Sequence, residues 1–173
     1  MNTLSQVLGI GFDIEAIKKA LSQKEWPQMI YNLTGSQKPA FIAQLFQQKN
    51  PGLILTYSEE MAQKWVSDLQ TWLPEREILY FPASEWLPFE VLGKSRETTI
   101  QRIRVLHRLT ENKNCIVVAP ALAINQRMYS FSRFQEYTFS LRQGDTVDLQ
   151  ELSQKLVTAG YERLDFVDGK GQF

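Results

Sequence analysis

The chain has 173 residues, with nineteen basic side chains set against nineteen acidic ones, 43% hydrophobic and 22% charged. That is the balance of a globular protein with no global field to draw it onto DNA or anionic lipid. A single cysteine, Cys115, and a single histidine, His107, exclude an intrachain disulfide, a cysteine-cluster metal site and the usual paired-ligand zinc enzymes.

The opening MNTLSQVLGIGFD lacks a charged n-region followed by a long apolar core, and no apolar run approaches the roughly 20 residues needed to span a bilayer. The expected location is the cytoplasm, away from any membrane.

From the N-terminus onward, short apolar runs alternate with helix-period stretches, the pattern of a mainly parallel α/β sheet. Met29-Ile30-Tyr31 reads as a short strand, Asn32 to Ser36 as a turn, and Gln37 to Lys49 as a helix with Phe41, Ile42, Leu45 and Phe46 on one face. Leu53 to Tyr57 is a second strand, introduced by Pro51-Gly52. Ser58 is placed to cap the next helix, with Glu59 and Glu60 in its first turn. The apolar stripe of that helix includes Trp65, Leu69 and Trp72, with both tryptophans expected in the core, and Pro74 follows its end.

Ile78 to Phe81 is a third strand, followed by an aromatic and proline-rich loop from Pro82 to Lys94. Ser95 is expected to cap a helix burying Ile100, Ile103, Leu106 and Leu109. Cys115 to Ala119, an unbroken apolar run, is a fourth strand with Cys115 a small core hydrophobe. Beyond Tyr129 the texture changes. Tyr137 to Leu141 alternates like a half-wet strand, Leu149, Leu152 and Leu156 mark a helix ending at Gly160, and Tyr161 to Val167 starts another strand before the Gly169-Lys170-Gly171 turn. The expected division is therefore a unit over 1–129 and the first part of a small α+β domain over 130–173, cut at Phe173.

A strand, a Gly-Ser turn and a helix form the setting of a phosphate-binding loop, whose motif is G-x-x-x-x-G-K-[ST]. Laid on Asn32 to Pro39, the chain keeps Lys38 and, within the turn, Gly35 and Ser36. Asn32 and Gln37 stand where glycines belong, and Pro39 stands where a hydroxyl would hold magnesium. Gln37 puts a side chain where backbone must approach phosphate. Pro39 offers neither an N–H nor a metal-binding oxygen. The loop is expected to be a structural turn, with no cofactor bound by this chain and no catalytic residue in it.

Leu33-Thr34-Gly35-Ser36 in this setting resembles the corresponding loop of the UvrB excision-repair helicase. The run Phe81-Pro82-Ala83-Ser84-Glu85-Trp86-Leu87-Pro88-Phe89-Glu90 resembles a characteristic loop of the transcription-repair coupling factors, a related family in which the phosphate loop is degenerate. Leu53 to Ser58 resembles the next strand-helix unit of both families. Tyr161 to Asp165, with Gly171-Gln172-Phe173, resembles the UvrA-binding domain they share.

Only residues 82–93 lie between Phe81 and Lys94, too few for the tyrosine-rich hairpin of the helicase. The pattern is that of the coupling factor, with a UvrB-type nucleotide-dependent helicase domain as the alternative. The resemblance implies a RecA-like first unit and UvrA as partner. In the parent it implies contacts to RNA polymerase and DNA through other domains, and an ATP- and magnesium-driven translocase motor outside this chain. Arg163 falls where the helicase has an arginine that contacts UvrA, and Lys170 and Phe173 lie in the same stretch.

Other residues carry plainer readings. Arg96, Arg102, Arg104 and Arg108, with Glu97 and Glu111 interspersed, read as a solvated helix face rather than a DNA patch. His107 reads as a surface histidine, and Trp86 as packing against the domain's own sheet.

Overall fold

A computed structural model describes residues 14–46, 50–84, 96–111 and 114–173. Its elements are α1 (Ile14–Ser22), α2 (Gln37–Leu45), β1 (Gly52–Thr56), α3 (Glu59–Trp72), β2 (Ile78–Tyr80), α4 (Arg96–Thr110), β3 (Ile116–Pro120), α5 (Ala121–Ile124), α6 (Phe131–Glu136) and α7 (Leu149–Thr158).

The three strands are all parallel, in the order β1-β3-β2, with Gly52 opposite Ile116 and Ile78 opposite the same residue on the other side. β3 is central, and its five residues are all buried. Because side chains alternate along a strand, the sheet presents two apolar faces. Ile54, Ile78, Ile116 and Val118 point to one, where Ala43 of α2 and Ala62 and Leu69 of α3 cover them. Cys115, Val117 and Ala119 point to the other, beneath Val105 of α4, Ala123 of α5 and Phe81. This is the expected α/β architecture, helices on both faces of a parallel sheet.

Local chemistry explains several boundaries. Ser58 caps α3 as expected, its hydroxyl accepting from the Met61 amide at 3.2 Å. Gly52 must be small, since a Cβ there would lie 2.6 Å from the ring of Phe46. Arg76 donates to the carbonyls of Phe46 and Asn50 at 3.1 and 2.6 Å, clamping the approach to β1.

Five expectations are corrected. Met29-Ile30-Tyr31 is irregular and joins no sheet. Met29 and Tyr31 are exposed, so no core rewards their β-propensity. Tyr137 to Leu141 is likewise no strand. Tyr161 to Val167 contributes one isolated bridge, Glu162 to Gln172, in place of a ladder. On α4 the buried residue is Val105, at 3% exposure, while Ile103 and Leu109 are 49% and 45% exposed. Trp65 and Trp72 are half-buried against the core instead of within it. The expectations for Ser95 and Trp86 fall outside the described residues, as does the end of the α2 reading at 47–49.

Candidate partner-binding site

The turn before α2 is held by its own side chain. Gln37 opens the helix, and its side-chain oxygen accepts from the Thr34 amide at 3.0 Å and the Thr34 hydroxyl at 3.3 Å. The Gln37 amide donates back to the Thr34 carbonyl at 3.0 Å, closing a reciprocal turn just ahead of the helix, whose N-cap Ser36 makes no side-chain cap bond. Lys38 and Ala40 donate to the carbonyls of Gly35 and Ser36.

Asn32 and Gly35 take left-handed backbone conformations, at φ 65° and 50°. Lys38 is exposed, whereas Pro39 is among the most deeply buried residues of the chain. Of the backbone donors from Thr34 to Ala40, those of Thr34, Gln37, Lys38 and Ala40 are spent inside the turn, and Pro39 has none. A phosphate loop keeps such donors free for the anion.

The arginines of α4 do not form one face. Arg102 reaches inward: it donates to the Pro82 carbonyl at 2.6 Å and lies 4.2 Å over the ring centroid of Phe81, with burial pulling its pKa below the usual arginine value. Arg108 pairs with Glu77 at 3.1 Å and Glu111 at 2.9 Å. Arg104 is exposed and in no ion pair among the described residues. The expectation of a solvated basic face is thus corrected at Arg102, which serves the fold, while Arg108 keeps to a solvated face in its surface ion pairs. His107 is half-buried and its Nδ1 has no hydrogen-bond partner among the described residues, so nothing orients it as a base.

The C-terminal stretch is open throughout. Every residue from Asn125 to Phe173 is at least partly exposed. Asp148 caps α7 by accepting from the amides of Gln150 and Glu151 at 2.8 and 3.2 Å, and Gly160, at φ 88°, lies just beyond the end of that helix.

Beyond it the segment 161–173 folds onto itself. The Glu162 amide donates to Gly171 at 2.9 Å, the Phe173 amide to Glu162 at 3.0 Å, and the Leu164 amide to Phe173 at 3.0 Å. Phe173 is therefore tied by its backbone to both sequence neighbours of Arg163. Arg163 itself is exposed and makes no ion pair among the described residues. Lys170 is exposed in the turn, joined by no hydrogen bond or ion pair to Arg163 or Phe173.

Sequence reasoning missed Gln172, whose side-chain oxygen accepts from the Asp168 and Gly169 amides at 2.9 and 3.1 Å and fixes the loop. No simple spacing rule marks such a contact.

No protein-family model matches the chain. It is similar to the transcription-repair-coupling factor of Bacillus subtilis (strain 168), at 31% identity over 162 residues, covering 93% of this chain and 14% of that protein. It is also similar to the transcription-repair-coupling factor of Staphylococcus aureus (strain USA300), at 27% identity over 146 residues, and that of Staphylococcus haemolyticus (strain JCSC1435), at 25% over 146 residues. Those two matches each cover 84% of this chain and 12% of the relative. The chain belongs to the transcription-repair-coupling factor family, matching along nearly all of its own length a short stretch of those much longer proteins.

Proposed function

We propose that this chain is an interaction module of a transcription-coupled repair factor, recruiting the excision-repair protein UvrA through residues 161–173 and carrying no nucleotide chemistry of its own. The observation that carries the reading is the similarity to coupling factors over 93% of the chain. The geometry supports its details. Residues 1–129 supply a RecA-like scaffold in which Gln37 and Pro39 take the place of phosphate ligands. Residues 130–173 supply the UvrA-binding stretch, set apart by its lack of buried side chains. ATP, magnesium, DNA and RNA polymerase are handled elsewhere in the parent. Among the described residues no helix is long and apolar enough to cross a membrane, and the reading needs none.

Arg163 is the residue assigned to the partner. Its planar donor fork suits a carboxylate across an interface, and among the described residues no acid pairs with it. UvrA binding to the 173-residue chain is the test, comparing Arg163→Glu with Arg104→Glu, both exposed and neither ion-paired. Arg163→Glu should weaken binding at least about tenfold, as truncating an interface arginine commonly does, while Arg104→Glu leaves it unchanged. Equal weakening by both variants would mean diffuse attraction, and no weakening by either would place the interface elsewhere.

A further inference from the structure

Phe166 is 84% exposed, the most exposed large apolar side chain among the described residues, and Val167 beside it is 57% exposed. Neither belongs to a loose tail. On the N-terminal side the backbone is held by the Leu164 amide on Phe173. On the C-terminal side it is held by the Asp168 and Gly169 amides on the Gln172 side chain. A ring kept in water by a fixed loop gains nothing for the fold, and it loses little conformational freedom when a partner covers it.

Three residues earlier stands Arg163. Glu162, Asp165 and Asp168 lie in the same segment, yet none of them forms an ion pair with it. An exposed aromatic ring three residues from an arginine in no ion pair among the described residues joins two residue types enriched at protein interfaces.

We propose that Phe166 is the apolar anchor of the interface that Arg163 serves, seating in an apolar pocket of the partner next to the carboxylate that Arg163 meets. This rests on the reading of residues 161–173 as a UvrA-binding segment and adds to it the residue that supplies most of the buried surface. The charge is specific in pattern: the partner needs an acid for Arg163 but must keep its other acids away from Asp165 and Asp168, which flank the ring.

The experiment measures UvrA affinity for the full 173-residue chain and for Phe166→Ala, Phe166→Leu and Arg163→Glu, with melting temperatures and sedimentation of each. Phe166→Ala should weaken binding about tenfold or more with an unchanged melting temperature, since the ring touches no core, and Phe166→Leu should recover most of the loss. If Arg163→Glu weakens binding and Phe166→Ala stays within about twofold, the anchor is overturned while the UvrA reading stands. If neither variant matters, or the parent chain does not bind UvrA, both fall. If Phe166→Ala abolishes self-association instead of UvrA binding, the ring serves a second copy of the chain and the proposal is overturned.

Discussion

The Thr34 amide points at the side-chain oxygen of Gln37, 3.0 Å away, where an active phosphate loop would point its amides at a nucleotide. This glutamine closes the turn ahead of the helix. Gln37→Ala should therefore cost about 1 kcal/mol of stability, the usual net scale for a lost hydrogen bond. Magnesium-ATP at millimolar concentration should give no saturable heat with the parent chain. A saturable heat that disappears in Lys38→Ala would show a working nucleotide site and return the UvrB-type reading.

Arg102 and Arg104, two residues apart on α4, should behave in opposite ways. Arg102 satisfies the Pro82 carbonyl and covers the Phe81 ring, so Arg102→Ala removes a charge-assisted bond and a cation–π contact together. With the site only partly buried, the loss should be about 1–2 kcal/mol. Arg104→Ala, on an exposed side chain, should fall within about 0.5 kcal/mol of the parent. Urea unfolding of the two variants decides the matter. Equal midpoints would mean that the Arg102 contacts carry no net stability.

The contrast shows where the sequence is readable. Apolar runs bounded by turn residues located β1, β2 and β3, most plainly β3, where burial on both faces leaves little room for another residue type. Met29 to Tyr31 has the same composition but lies outside the sheet, and composition alone does not reveal which apolar run finds a neighbour. The α4 stripe drawn through Ile103 and Leu109 failed for a related reason: the helix contacts the sheet through Val105, and the sequence does not show how far a sheet extends beneath a helix. At the candidate site, a turn over Asn32 to Ser36 leading into a helix from Gln37 was legible in the sequence. The pinning of Phe166 by Gln172 was not, since it depends on how a loop closes on itself.

Two groups give the stability a pH dependence of known sign. Burial, together with the Glu59 carboxylate beside it, pushes the Tyr80 hydroxyl up to about 12. Burial, with Glu77 nearby, likewise pushes the Cys115 thiol above its ordinary value. A raised folded-state pKa means that the unfolded chain releases its proton first as pH rises. The stabilisation is complete below the unfolded values, about 8.5 for cysteine and about 10 for tyrosine, and is lost as pH climbs toward the folded ones. Unfolding free energy should fall with pH above about 8.5, more steeply above about 10, and Tyr80→Phe should flatten the upper part alone. Cys115 should also resist thiol reagents until the protein unfolds, because it is 1% exposed. Labelling of the folded protein at the rate of a free thiol would contradict that burial.

Among the described residues no strand pairs with β1 on the side away from β3, and this predicts how the chain behaves at high concentration. Gly52 donates its amide to Cys115 of β3, so the alternate residues Leu53 and Leu55 turn their backbone groups toward the free edge. Their side chains are 55% and 54% exposed, on the face that α4 covers only over β2 and β3. Beside Leu53 lies an apolar cavity of about 350 Å³, lined by Phe81, Leu106, Leu109 and Met128 among others. A five-residue apolar edge without an intervening lysine, proline or bulge is a template for pairing with another strand. The chain should therefore associate as its concentration rises. Leu55→Lys places a charge on the edge without removing a buried side chain, and should shift the sedimentation profile to monomer with little change in melting temperature. If the parent chain is monomeric at millimolar concentration, the edge is protected in some other way. If Leu55→Lys associates as strongly as the parent, contacts form through another surface, and the exposed Phe166 would be the next position to substitute.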